Sequence, residues 1–214
     1  MTGPGNDADP AAPPWVDVGL VAQYLSNAKG YAGYFTGAEK PVEEYCVVDQ
    51  WACAYYGEAN IPFATLCPRP SGEDPPDCEA FDLLGNRWGF EVTELVDEKL
   101  RKRGQLHPSH PNFEDSIEDR DYTEAEFVSA IAARLMKKDK PADAWKGRPY
   151  WRLILIICCD ENLNPHDVKR WLANASFVKP SMIDEVFLLL PPPPRIDDGL
   201  PADENGIVFP LLFA

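Results

Sequence analysis

The sequence lacks the cysteine and histidine patterns of a structural zinc site. Its six cysteines include no C-x-x-C pair, and its three histidines include no pair at zinc-finger spacing. Cys158 and Cys159 instead end an apolar stretch. That position predicts buried free thiols, which are typical of a reducing compartment.

Long apolar runs are also absent. The longest, Leu153–Cys159 and Val186–Leu190, have the length of strands and cannot cross a bilayer. Residues 1–14 are acidic and rich in proline and glycine, without the charged and apolar parts of a signal peptide. We interpret them as a flexible leader before a single domain over residues 15–214. We expect a cytoplasmic protein with no membrane partner.

The chain has no excess of positive charge. Its net charge is −15, whereas proteins that bind nucleic acid usually have a positively charged surface patch. Basic residues do cluster in two places, at 99–103 and at 134–140. The overall charge therefore opposes tight non-specific binding of nucleic acid, while the two clusters suit a local contact.

Apolar periodicity, capping residues and turn residues predict alternating helices and strands. Helices are predicted at about Val16–Ala28, at Pro41–Tyr56, after a capping box at Thr123, and at about Pro165–Ala175; strands are predicted at Ile61–Leu66, twice within a hairpin in Pro75–Leu95, and at Tyr150–Cys158, Glu185–Leu190 and Ile207–Leu212. The polar segment 96–122 is predicted to be a mobile loop. Apolar strands that alternate with helices predict a three-layer α/β/α domain around a central mixed β-sheet.

The predicted hairpin carries an acid on each of its strands. Asp77 opens the first strand, and Glu91 lies within the second, on the face opposite its aromatic residues. We therefore expect Glu91 to be displayed on the surface, where Asp77 approaches it across the hairpin. Two converging carboxylates repel each other unless one is protonated or a cation binds them, and Mg²⁺ or Mn²⁺ prefers such oxygen ligands. The alternatives are an Asx-type turn at Asp77 and a solvated edge position for Glu91.

The residues "PPD", thirteen further residues and then "EVT" resemble the PD-(D/E)XK nuclease superfamily. A helix before the hairpin, a capped helix after it and then an apolar strand extend the resemblance over roughly residues 41–190. It implies a restriction-endonuclease-like fold and a metal-dependent phosphodiester hydrolase acting on DNA or RNA. Asp77 and Glu91 would then bind Mg²⁺ or Mn²⁺.

The chain departs from that family at Thr93, which occupies the position of the family's lysine. Some members recruit the basic residue from a neighbouring helix. On the helix after Thr123, a rotation of 100° per residue places Lys138 on the core-facing side near Phe127, whereas Lys137 points away. Lys138 is therefore the predicted catalytic cation, and Arg134, close by on the same helix, is the second candidate. The alternative role of Lys138 is that of a solvated charge which stabilises the end of its helix.

The family often adds a glutamate from the helix before the hairpin. The helical wheel places Glu44 on the buried side of that helix and Glu43 towards solvent, with Glu58 as a fallback. Nucleic acid would contact the basic clusters. Those contacts are predicted at Lys99, Arg101, Lys102, Arg103 and Arg134.

Two hypotheses of different class follow. The first is a metal-dependent nuclease that uses Asp77, Glu91, Glu44 and Lys138. The second is a catalytically inactive relative that binds or regulates a protein partner through its acidic surface. Thr93 and the net charge favour the second hypothesis, and the acids favour the first.

Overall fold

A computed structural model describes residues 40–70, 72–95, 122–159, 163–190 and 206–213. The leader, the helix expected near residue 16 and the basic cluster at 99–103 lie outside these ranges. So does nearly all of the expected loop at 96–122. Those predictions, and the single-domain prediction for 15–214, remain predictions.

The described residues form an α/β structure. Its helices are α1 (Lys40–Tyr56), α2 (Glu124–Lys138) and α3 (Pro165–Asn174), with short 3₁₀ helices at Glu58–Asn60 and Ala142–Ala144. Its strands are β1 (Phe63–Pro68), β2 (Cys78–Asp82), β3 (Arg87–Glu94), β4 (Arg152–Cys158), β5 (Glu185–Leu190) and β6 (Ile207–Pro210). The predicted α/β class is confirmed. Among these three α-helices, none has the combination of length and apolarity that a membrane span requires.

The six strands lie side by side in chain order and form one open, mixed sheet. The pairs β1–β2, β2–β3 and β5–β6 are antiparallel, whereas β3–β4 and β4–β5 are parallel. Parallel neighbours need a crossover connection, and α2 and α3 lie in the two connections that precede β4 and β5. The predicted hairpin is the antiparallel pair β2–β3, and β3 is an interior strand that also pairs with β4 in parallel.

Helices cover both faces of the sheet. On one face, α1 packs through Val47, Val48 and Trp51 against a core that includes Ile154 and Ile156 of β4. The opposite face packs against α2 and α3 and includes Leu155 and Ile157 of the same strand. Burial of alternate residues on opposite faces explains why β4 is apolar without interruption, as its sequence predicted.

Helix α2 begins at the predicted capping box. The hydroxyl of Thr123 accepts a hydrogen bond from the Glu126 amide, and the Glu126 carboxylate accepts one from the Thr123 amide. Three buried residues follow at helical spacing: Phe127, Ile131 and Leu135. The next position on this stripe is Lys138, which therefore ends the helix on its buried side.

Gly89 of β3 permits a close approach between the sheet and the segment before β2. A Cβ atom at Gly89 would lie 2.9 Å from Leu153 Cδ1 and 3.1 Å from Pro76 Cγ and from Tyr150 Cδ1. Any side chain at this position would therefore push against Pro76, the residue that precedes Asp77.

We expect Gly89→Ala to lower the free energy of unfolding by roughly 1–3 kcal/mol, because the added methyl group overpacks this contact. Urea unfolding followed by circular dichroism measures the change. The control is Ala64→Val, which adds carbon atoms at an exposed position of β1. An unchanged midpoint for Gly89→Ala would show that Pro76 and Tyr150 yield without cost.

Candidate active site

Asp77 lies immediately before β2 and is held by the backbone on three sides. Its amide donates to the Phe90 carbonyl over 2.9 Å, and its carbonyl accepts from the Arg69 amide over 2.8 Å. The carboxylate Oδ2 accepts from the Val92 amide across the hairpin, also over 2.8 Å. An Asx-type turn would instead direct this carboxylate to its own loop. Asp77 is therefore a buried acid whose carboxylate is aimed at the strand that carries Glu91.

Glu91 is buried, and the prediction that it lies on the surface is wrong. Only 2% of the residue is exposed, because α2 covers this face and β3 pairs with β4 as well as β2. The solvated edge position is excluded for the same reason. Burial raises the pKa of Glu91, the charge of Asp77 raises it further, and Lys138 opposes both effects.

Lys138 reaches Glu91 from the last residue of α2. Its ammonium group donates to Glu91 Oε1 over 2.6 Å and to the Val92 carbonyl over 2.9 Å. The cation thus lies beside the backbone that joins Glu91 to Thr93, although its own residue is 47 positions further along the chain. Arg134 lies one turn earlier on α2 and is half-buried. The ion pair with Glu91 is made by Lys138.

Glu44 of α1 forms the other side of the acid cluster. Burial first, and then the charge of Asp77, raise the pKa of Glu44 from 4.5 to about 7. A hydrogen bond between the two carboxyl groups adds to this rise, whereas the neighbouring Lys40 opposes it. Glu44 therefore lies close enough to Asp77 to feel its charge, and Glu44 exchanges a proton near neutral pH.

Lys40 is a site residue that the sequence analysis missed. Its Nζ lies 2.7 Å from Glu44 Oε1 and 3.7 Å from Asp77 Oδ1. Two features pointed to it. Lys40 and Glu44 have the i,i+4 spacing of a helical ion pair, and a cation at a helix N-terminus opposes the helix dipole unless acids lie nearby.

Two other glutamates, Glu43 and Glu58, were considered in the sequence for their position relative to the site. Glu43 was expected to face solvent, yet it is 3% exposed, so that prediction is wrong. On a helical wheel, the buried residues of α1 cover an arc of roughly 240°, with Cys46 at one edge and Ala52 at the other. Glu43 and Glu44 both lie within this arc. Glu58 is exposed in the 3₁₀ helix after α1, at the opposite end from Glu44, and is not part of the cluster.

The acids have the donor chemistry that a divalent cation requires. Oε2 of Glu91 is buried without a hydrogen-bond partner among the described residues. The charge of Asp77 raises the pKa of Glu44, and a cation bound between them would relieve this repulsion. In the described ranges no three acidic, cysteine or histidine side chains are already arranged as a metal-binding group. Two ammonium groups, those of Lys40 and Lys138, lie among the carboxylates instead.

Comparison of the chain with models of protein families, with curated protein sequences and with solved structures gives no match. The geometry of the site must therefore carry the functional assignment. Glu44, Asp77, Glu91 and Lys138 come from α1, the loop before β2, β3 and α2, respectively. Only the fold brings these four side chains into one cluster.

The raised pKa of Glu44 predicts a pH dependence of stability. The folded protein holds a proton that the unfolded chain releases above pH 4.5, so this stabilisation is complete below pH 4.5 and is lost as the pH rises through about 7. In EDTA, Glu44 should lower the free energy of unfolding by roughly 2–3 kcal/mol over that range.

Chemical unfolding of wild type and Glu44→Gln at several pH values measures this contribution. Glu91 acts in the same direction, so the difference between the two proteins isolates Glu44. Glu124→Gln, which changes an exposed glutamate, is the control and should follow the wild-type curve. Parallel curves for wild type and Glu44→Gln would contradict the prediction.

Removal of the Lys138 ammonium should leave a buried carboxylate unpaired. We expect Lys138→Met to lower the free energy of unfolding by about 2–4 kcal/mol at pH 8, since the Glu91 side chain is only 3% exposed. The loss should shrink at pH 5, where Glu91 more readily takes up a proton. Adding Glu91→Gln should restore part of the stability.

The matched control is Lys137→Met, which removes the same charge from the adjacent, exposed position of α2. Its effect on urea unfolding should stay within about 0.5 kcal/mol. Equal losses for the two variants would mean that the ion pair with Glu91 contributes nothing specific.

Proposed function

We propose that this chain is a divalent-metal-dependent nuclease that hydrolyses phosphodiester bonds in nucleic acid. One observation carries the proposal: the ammonium of Lys138 lies 2.6 Å from Glu91 Oε1, in the same cluster as Asp77 and Glu44. The cluster has the composition that the resemblance to the PD-(D/E)XK superfamily implies. Its lysine arrives from α2 and replaces the cation that Thr93 cannot supply.

The order of the elements supports a restriction-endonuclease-like α/β/α fold as part of this proposal. Helix α1 precedes the hairpin, the hairpin pairs the start of β2 with β3, and α2 leads into the apolar strand β4. Helices cover both faces of the sheet. These are the features by which the sequence resembled the common core of that superfamily.

Asp77, Glu91 and Glu44 would hold Mg²⁺ or Mn²⁺. When bound, such an ion polarises a phosphodiester and lowers the pKa of a bound water. Asp77 is suited to this role because its backbone and Oδ2 are fixed, which leaves Oδ1 facing the cluster. The second oxygen of Glu91 has no competing hydrogen-bond donor among the described residues.

The lysines and Glu44 would assist the reaction in different ways. Lys138 orients Glu91 and holds a fixed positive charge where negative charge develops on the phosphoryl oxygens. Glu44 exchanges a proton near neutral pH, so it can adjust the charge of the cluster. Lys40 is largely exposed and is free to move off the acids when they take another cation.

A second candidate function is that of a binding module without catalysis. Lys40 and Lys138 together neutralise two of the three carboxylates, which would give a stable ionic cluster with no metal. The net charge of −15 suits a basic protein partner better than a polyanion. Metal affinity separates the two functions, because a purely structural cluster has none.

Calorimetric titration of Mg²⁺ and Mn²⁺, with cleavage of mixed DNA and RNA in the same samples, tests the proposal. Asp77→Asn and Glu91→Gln should weaken ion binding about tenfold or more and abolish cleavage, because each removes a ligand charge while keeping the side-chain shape. Lys138→Met should retain most of the ion affinity and lose roughly a hundredfold or more in cleavage rate. Lys137→Met should cleave like wild type.

Each alternative gives a different result. Wild-type protein that binds neither ion would exclude the metal site and favour the binding module. Ion binding that survives Asp77→Asn would place the metal elsewhere. Undiminished cleavage by folded Lys138→Met, checked by circular dichroism, would show that Lys138 only supports the structure.

A further inference from the structure

A short cationic segment follows α2 in an otherwise acidic chain. Residues 140–148 contain Lys140, Lys146 and Arg148 against one acid, Asp143, whereas the whole chain has a net charge of −15. Lys146 and Arg148 are exposed, and Lys140 is half-buried. We call these three residues the cationic rim.

The cationic rim is attached to both sides of the acid cluster. It starts two residues after Lys138, and Lys140 is close enough to Glu91 to lower that residue's pKa. Further along, the Lys146 amide donates to the Pro75 carbonyl over 2.8 Å. Pro75 lies two residues before Asp77, so the segment runs from one acid of the cluster towards the loop that carries the other.

Hydrogen bonds hold this segment in place. The indole of the buried Trp145 donates to the Lys140 carbonyl over 3.1 Å. The hydroxyl of Tyr150 donates to the Lys146 carbonyl over 2.8 Å, and Arg87 donates to the carbonyl of Gly147. The rim residues are therefore presented from a fixed backbone, so binding has to order their side chains but not the segment that carries them.

Two nearby acids, Asp139 and Glu73, are engaged by other groups. The carboxylate of Asp139 accepts from the amide and hydroxyl of Ser181, over 2.9 and 3.0 Å. Glu73, next to the Gly72 carbonyl that Lys146 contacts, is paired with Arg69 at 3.1 Å. Among the described residues, no ion pair joins Lys140, Lys146 or Arg148 to an acid.

We propose that Lys140, Lys146 and Arg148 bind successive phosphates of a nucleic-acid strand and guide its backbone to the acid cluster. The inference rests on the proposed nuclease function. It adds the surface through which this negatively charged protein would bind nucleic acid. Three cations on one short segment beside the acids offset their repulsion of the phosphates locally, although the overall charge of the chain is negative. Phosphate contacts of this kind position a strand without selecting its sequence.

The test measures binding separately from hydrolysis. Fluorescence anisotropy with labelled DNA and RNA oligonucleotides, in EDTA and across a salt series, compares three full-length variants with wild type. The rim variant is Lys140→Gln/Lys146→Gln/Arg148→Gln. The matched control, Lys169→Gln/Lys179→Gln/Arg170→Gln, removes two lysines and one arginine from exposed positions on or after α3. The third variant, Lys140→Arg/Lys146→Arg/Arg148→Lys, keeps the rim charges.

The rim variant should bind about tenfold or more weakly, and its slope of log affinity against log salt should shrink by about 2–3. The matched control and the charge-keeping variant should behave like wild type. Equal losses in the rim variant and the control would overturn the inference, since only total charge would then matter. Unchanged binding by the rim variant would also overturn the inference, as would failure of the wild-type protein to bind either nucleic acid.

Failure of the rim and failure of the nuclease remain distinguishable. Binding that depends on the rim but is not followed by cleavage in Mg²⁺ or Mn²⁺ would retain the surface and exclude the catalysis. Cleavage that the rim variant performs with unchanged KM would retain the nuclease and exclude the rim.

Discussion

The structure around the site depends on the compensation of buried negative charge. Glu44, Asp77 and Glu91 are each less than a tenth exposed and lie in one cluster. Carboxylates in such a setting must be protonated, paired or bound to a cation. Lys138 pairs with Glu91, Lys40 pairs with Glu44, and Glu44 and Asp77 share a hydrogen bond. The apolar stripe of α2 packs the helix against the sheet, and this packing brings its last residue, Lys138, to Glu91 of β3.

The scaffold places rigid backbone under each acid. Glu91 stands on an interior strand, paired on both sides, and Asp77 is tied to that strand through its amide and its carboxylate. Gly89 lets Pro76 approach closely enough for these bonds to form. Lys40, in contrast, is a long side chain that is 66% exposed. The backbone therefore positions the acids, while the side chain of Lys40 adjusts the charge next to them. Both properties are useful for binding a cation.

Local patterns were sufficient to predict most of the described elements. The capping box at Thr123 and the apolar stripe from Phe127 predicted α2, and the uninterrupted apolar run at 153–158 predicted a strand buried on both faces. The helical-wheel argument that predicted the position of Lys138 was wrong about the exposure of Glu43, because it assumed that only a narrow stripe of α1 is buried. The exposure of Glu91 was mispredicted because alternation along a strand does not show what covers its second face.

Short-range periodicity, turns and spacing were enough to predict the α/β class, the order of the elements and the two acids of the hairpin, Asp77 and Glu91. Three features depend instead on the packing of the folded chain. Helix α2 covers the face of β3 that carries Glu91, Lys138 contacts this residue 47 positions earlier, and Lys40 joins the cluster. Contacts of that range depend on how helices pack on the sheet, and no local pattern encodes that packing.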